Sequence, residues 1–190
     1  MIPLDHSSSN PQVQMDIVVR RAKIDDWEAV WKLAQASTLA AHWEREAYWR
    51  YLTVETAADS QAKALFVACV CAPARKLFLD LAMGQIVGVA AFSAIAGFGE
   101  GESTLENMAV AGPWQRQGIG ARLLTGGTLW SRAHANRYMF LEVRESNLAA
   151  IALYQRDGFR VVGCRPAYYS EPEEDALQMR KALAPTALGG

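Results

Sequence analysis

Six residues in the middle of the chain, Gln115-Arg116-Gln117-Gly118-Ile119-Gly120, have types and spacing suited to holding a phosphorylated ligand. They fit the form Q/R-x-x-G-x-G between a strand-like run, Leu105 to Val110, and a helical one. The first turn of a helix leaves about four backbone N–H groups without intrahelical partners, and the macrodipole adds partial positive charge there. Glycines let a ligand come close to the backbone, so such a loop can hold a diphosphate by main-chain donors. Arg116 and Arg122 are placed to add charge-assisted contacts. No Gly-Lys-Ser/Thr follows, so this is not a P-loop, and the three-glycine spacing of a dinucleotide fold is missing. Taken alone, the run also fits a plain tight turn.

Composition narrows the chemistry. With 190 residues, 51% hydrophobic and 21% charged, the chain reads as one soluble globular domain able to bury a core. A net charge of −1 without a basic run argues against nucleic acid as a partner. No apolar stretch reaches the roughly 18 residues of a membrane span, and the N-terminus lacks a signal-peptide layout. The cytoplasm is the expected compartment, with no membrane partner. Cys69 and Cys71 lie two apart in a strand-like run and suit packing, Cys164 stands alone, and His6, His42 and His134 are scattered. No metal site is expected. No G-x-S-x-G elbow points to a hydrolase.

Around that loop the elements follow from periodicity. Residues 1–14 are polar and expected to be a disordered leader, 15–184 the folded domain and 185–190 a flexible tail. A strand over 17–20 precedes a helix capped by Asp25 or Asp26, then a second helix over 43–52 with Trp43, Ala47 and Tyr51 on one face. Strands are expected over 64–71, 85–96 and 105–110, with the segment 72–82 unassigned and a turn at 97–101. The helix opening on the glycine loop should run over 117–135, and Gly126-Gly127 inside it hints at close helix–sheet packing. A short apolar strand over 138–143, a helix over 147–156 closed by Gly158, a strand over 159–164, a loop over 165–175 and a strand over 176–183 complete the chain. The order βααβββαβαββ is that of a single α/β domain with a mixed sheet.

Several runs between 105 and 180 together resemble the Gcn5-related N-acetyltransferases (GNAT), most closely the bacterial enzymes that acetylate the N-terminal alanine of a ribosomal protein. They are Asn107-Met108-Ala109-Val110, Gln115 to Gly120, Leu141-Glu142-Val143-Arg144 with Ser146-Asn147, Ala152-Leu153-Tyr154, Gly158-Phe159, Tyr168-Tyr169, and Glu174-Asp175-Ala176-Leu177 with Met179. The resemblance implies the GNAT fold, a mixed sheet of about six or seven strands flanked by about four helices. It implies acetyl-CoA as donor and an amine-bearing acceptor, a protein N-terminus or a small molecule, for a monomer or homodimer. Met108, Ala109 and Val110 would pair with the pantetheine arm. Gln115, Arg116, Gln117, Gly118, Ile119, Gly120 and Ala121 would cradle the pyrophosphate, and Asn147 would reach the cofactor from the next helix. Glu142 would be the general base and Tyr154 the general acid beside the cofactor, with Glu106 a rival base.

Those residue types suit the reaction. An α-amine of pKa about 7.7–8.0 is mostly charged at neutral pH and must lose a proton to attack a thioester. A carboxylate among apolar neighbours, as Glu142 is among Phe140, Leu141 and Val143, is suited to accept it, and a phenol to protonate the departing thiolate. Tyr168 and Tyr169, followed by Glu171, Glu173, Glu174 and Asp175, read either as a solvated acidic loop or as an acceptor gate that attracts a cationic amine. Glu142 could also serve only to pair with Arg144 or Arg137. Two regions depart from the alanine-acetyltransferase pattern: in the N-terminal third His42-Trp43 stands where relatives have Pro-Trp, and farther on Ala167 and Ser170 flank the paired tyrosines in place of Asn and Pro. A small-molecule amine acetyltransferase and a catalytically silent acyl-CoA-binding module are the other readings.

Overall fold

The computed structural model describes residues 16–37, 43–53, 61–71, 84–95 and 101–183. The expected leader, the segment 72–82, His42 and the tail over 185–190 lie outside these residues, as does most of the expected turn at 97–101. Among the described residues seven strands form one sheet: β1 (Asp16–Arg21), β2 (Gln61–Cys71), β3 (Gln85–Ile95), β4 (Gly101–Val110), β5 (Asn136–Arg144), β6 (Arg160–Ser170) and β7 (Glu173–Ala182). Four α-helices join them: α1 (Trp27–Gln35), α2 (Arg45–Thr53), α3 (Ile119–Ala133) and α4 (Leu148–Arg156). The strand order is β1-β2-β3-β4-β5-β7-β6, antiparallel throughout except for β4 and β5. A parallel pair needs a crossover, and α3 supplies it.

The sheet divides the core in two. On one face Ile119, Leu123 and Leu124 of α3 and Tyr154 of α4 pack on Phe92, Leu105, Met139, Leu141 and Val143. On the other, Val30 and Ala34 of α1 and Tyr48 and Tyr51 of α2 pack on Leu65, Val67, Val89 and Ala91. Cys69 and Cys71 are both buried and unbridged, in keeping with packing roles. The paired glycines of α3 have a reason in this packing. A Cβ on Gly127 would collide with the ring of Phe92, and one on Gly126 would come within 3.4 Å of Phe66 and Val19. Backbone therefore lies directly on the sheet where two larger residues would hold the helix off.

Two expectations are corrected. Asp26 stands at the start of α1 but makes no side-chain cap, because its carboxylate turns back to accept from Arg20 (2.6 and 2.9 Å) and from the Lys23 amide (2.6 Å). The charged run 165–175 is no loop. β6 continues to Ser170 and β7 starts at Glu173, leaving Glu171-Pro172 as the turn. Polar composition suggested a loop, yet side-chain bonds sustain the pairing across a bulge. Arg165 opposes Ala176 and Tyr169 opposes Glu174, and between them Asp175 accepts the Ala167 amide at 2.9 Å. Tyr168 and Tyr169 are thus strand residues.

Candidate active site

β4 and β5 pair only as far as Leu105 and Leu141, and beyond that rung the two strands share no ladder. Residues 106–110 and 142–144 consequently flank a splay in the middle of the sheet. Met108, Ala109 and Val110 remain paired with Ala90, Val89 and Gly88 of β3, so one edge of this segment is satisfied and the edge toward β5 is open. Such an edge can accept an extended ligand by main-chain hydrogen bonds.

The glycine loop stands at the end of that segment. After a short 3-10 turn over Gly112–Trp114, Gly118 adopts a left-handed conformation (φ 78°) as the residue before α3, a geometry for which glycine carries no steric penalty. A Cβ there would meet nothing within 4 Å, so the space above the loop is open. Gln115, Arg116, Gln117 and Ala121 are exposed, and Ile119 is buried as the anchor of α3, leaving only its backbone to face a ligand. The first-turn N–H groups at 119–121 have no intrahelical acceptor. Gln115 and Gln117 turn their side chains inward to the Val110 and Pro113 carbonyls at 3.1 Å each, bracing the loop. Arg122 is drawn away to the Ile17 carbonyl at 2.9 Å, which leaves Arg116 as the loop's own guanidinium.

Two carboxylates stand on the strands that bound the splay, Glu106 on β4 and Glu142 on β5. Glu106 is the extra residue of a bulge, since Ala91 opposes Asn107 while Phe92 opposes Leu105. Its carboxylate bonds to the hydroxyl of Tyr51, whose phenol is pushed well up by burial first and by this neighbour second. Next to it, Asn107 is buried and donates to the Tyr48 hydroxyl at 3.0 Å, so the bulge is tied to α2 at two points. Glu142 lies on the more open face of β5, because Leu141 and Val143 take the α3–α4 face. Three groups converge on it from β6 and β7: Arg165 at 2.7 Å, Gln178 at 3.3 Å and the Tyr168 hydroxyl, whose pKa is raised chiefly by that bond. Arg144, expected as a partner for Glu142, pairs with Glu174 at 3.1 Å.

Tyr154 is buried on α4, edge-on to Phe159 at 5.8 Å. Burial, with a smaller push from Tyr169, raises its phenol well above the ordinary value, so it keeps its proton at neutral pH. Asn147 is the N-cap of α4 and accepts the Ala150 amide at 3.2 Å, which commits its oxygen and leaves its amide nitrogen as the group able to reach outward. Tyr168 and Tyr169 meet edge to face, their ring centres 5.1 Å apart, while Glu171 is exposed at the turn. Sequence reasoning missed Arg165 and Gln178 as partners of Glu142. Their only signal is the register that sets Gln178 opposite Glu142, which no local pattern displays. Among the described residues no group of His, Cys, Asp and Glu is arranged to hold a metal.

A mixed sheet split at one parallel pair, with a glycine loop opening the crossover helix, defines a class. The chain belongs to the acetyltransferase (GNAT) family, whose model matches residues 27–159. It is 37% identical over 98 residues to the N-alpha-acetyltransferase RimI of Mycobacterium tuberculosis, covering 52% of this chain and 60% of that one. It is 45% identical over 82 residues to the ribosomal protein bS18-alanine N-acetyltransferase of Escherichia coli, covering 41% of this chain and 54% of that one. The matched stretch thus spans little more than half of those relatives. The fold is similar to the crystal structure of the ribosomal-protein-S18-alanine N-acetyltransferase from Escherichia coli, with a TM-score of 0.65, 23% identity and coverage of 92% and 99% of the two chains.

Proposed function

We propose that this protein transfers the acetyl group of acetyl-CoA to a primary amine, most suitably the α-amine of a protein or peptide N-terminus. The observation that carries this is the splay, which leaves one edge of Met108–Val110 unpaired beside the loop that opens α3, with Glu142 on the strand across the gap. The residues fit the donor: an open strand edge suits an amide-bearing arm, and solvent-facing N–H groups with Arg116 suit a diphosphate. When bound there, acetyl-CoA supplies the activated thioester carbonyl.

Glu142 accepts a proton from the acceptor ammonium, directly or through water, which frees the amine to attack, with Gln178 and Tyr168 orienting the carboxylate. Tyr154 donates a hydrogen bond to the departing sulfur. With its pKa well above 10, and a thiol's reference value at about 8.5, it is the weaker acid, so it steadies the thiolate more by donating a bond than by surrendering its proton outright. Glu106, beside Tyr51 at the bulge, is the rival base.

The reading is tested by release of free thiol over a panel of peptides and polyamines, with acetyl-CoA affinity measured separately. Peptide-dependent release supports it, release with polyamines alone turns it toward small acceptors, and acetyl-CoA binding without release with any amine leaves an acyl-CoA-binding module. Glu142→Gln and Tyr154→Phe should each lower turnover by about 10²-fold with acetyl-CoA binding nearly intact. Near-normal turnover in either variant removes that residue from its role.

A further inference from the structure

Pairing between β5 and β7 ends at Arg144 opposite Ala176, whereas β6 and β7 stay paired out to Ser170 opposite Glu173. The tip of the β6–β7 hairpin therefore overhangs the sheet, carrying Tyr169, Glu171 and Glu174. One side chain holds this overhang. The guanidinium of Arg144, only 13% exposed, donates to the Glu171 carbonyl (3.0 Å), the Pro172 carbonyl (3.2 Å) and Glu174 Oε2 (3.1 Å), and lies 4.1 Å from the centre of the Tyr169 ring. The other oxygen of Glu174 accepts the Ser146 amide at 2.5 Å, and the Glu145 amide reaches the Asp175 carbonyl at 3.3 Å.

Ser146 directly precedes Asn147, the cap of α4. Tyr169 in turn packs on Tyr168, whose hydroxyl reaches Glu142. One ion pair thus joins the hairpin beside the carboxylate to the turn that launches the helix of Tyr154. We infer that Arg144, with Glu174, is a positioning residue that fixes the β6–β7 hairpin as the acceptor-binding wall and sets it in register with the α4 turn. The inference rests on the amine-acetyltransferase reading above. The charge state suits a permanent clasp, since the Ser146 amide and Arg144 hold the Glu174 carboxyl below its ordinary range. It is not a mere surface pair, because a guanidinium that donates through both Nη1 and Nη2 to three oxygens and lies on a ring fixes direction as well as distance.

The full chain and its Arg144→Met, Arg144→Lys and Glu174→Gln variants are compared by steady-state kinetics with an alanine-first peptide and by amide hydrogen exchange. Arg144→Met should raise the acceptor KM about tenfold or more while kcat and the acetyl-CoA KM move by no more than about threefold. Amides over 169–174 should exchange about tenfold faster while those over 138–143 keep their protection. Lysine should restore part of the acceptor KM, since it keeps the charge and loses the fork. Glu174→Gln should act in the same direction, and the double variant should add little to either single one. An unchanged acceptor KM, or equal losses in kcat and both KM values with a general loss of protection, overturns the inference. Should Arg144→Met fail to fold, Glu174→Gln carries the same comparison. If the wild-type chain acetylates no peptide, the functional reading fails, and hairpin exchange in the variants still decides whether the clasp exists.

Discussion

At the level of single residues, the site turns on what surrounds one carboxylate. Glu142 is half-buried and already paired with Arg165, which is itself half exposed and rests 5.1 Å from the centre of the Tyr168 ring. An acceptor ammonium approaching Glu142 meets a cation in its seat. A pair this exposed contributes about 0.2–1 kcal/mol, so its displacement costs a few-fold in affinity at most. Replacing Arg165 with Gln should lower the acceptor KM about two- to fivefold, with the effect shrinking as salt is raised. Kinetics at two ionic strengths check this, and a higher KM would show that Arg165 helps to hold the acceptor. The residue types were legible in the sequence, with Glu142 on one strand that bounds the splay and the glycine loop at the end of the other. What they touch was not, because Arg165 and Gln178 reach Glu142 through a register that spans 23 and 36 positions of chain.

Among elements, the helices and central strands follow from periodicity, and the order of elements agrees with the expected one throughout. The edge pair does not, since β6 is exposed along nearly its whole length and shows no alternation to read. Gly126-Gly127 is the case where a local oddity carried tertiary information. Two poor helix formers inside α3 marked the place where the helix lies on Phe92, Phe66 and Val19. Gly127→Ala should therefore destabilise the protein by about 1–3 kcal/mol, despite alanine's better helix propensity, because the fully buried Phe92 ring has nowhere to go. Urea denaturation measures it, and a gain in stability would mean that the helix can shift outward freely. Gly126→Ala, at ordinary contact distance, should cost less.

Across the whole molecule, two carboxylates pin structure far from each other. Asp26 joins the start of α1 to β1 through Arg20, and although burial works against its charge, the bonds from Arg20 and Lys23 keep its pKa below the ordinary value. Glu174 does the same between β7 and the α4 turn. A carboxyl with a depressed folded pKa gives stability that is complete above its unfolded value and lost as pH falls through the folded one. Stability should accordingly be flat above about pH 5 and decline below about pH 4. Thermal melts from pH 3 to 7 test this, and Asp26→Asn and Glu174→Gln should each flatten the acid decline. A decline with the same slope in both variants would assign it to other groups.

The bulge at Glu106 has a consequence for how this position tolerates change. On either side of one surplus residue, Leu105 faces α3 while Asn107 and Ala109 face α2 and α1. Removing that residue would restore plain alternation, with Asn107 still opposite Ala91, Leu105 still opposite Phe92 and each side chain on its present face. A chain shortened by one link at 106 should therefore keep both cores and lose only the kink of the bulge and the carboxylate beside Tyr51.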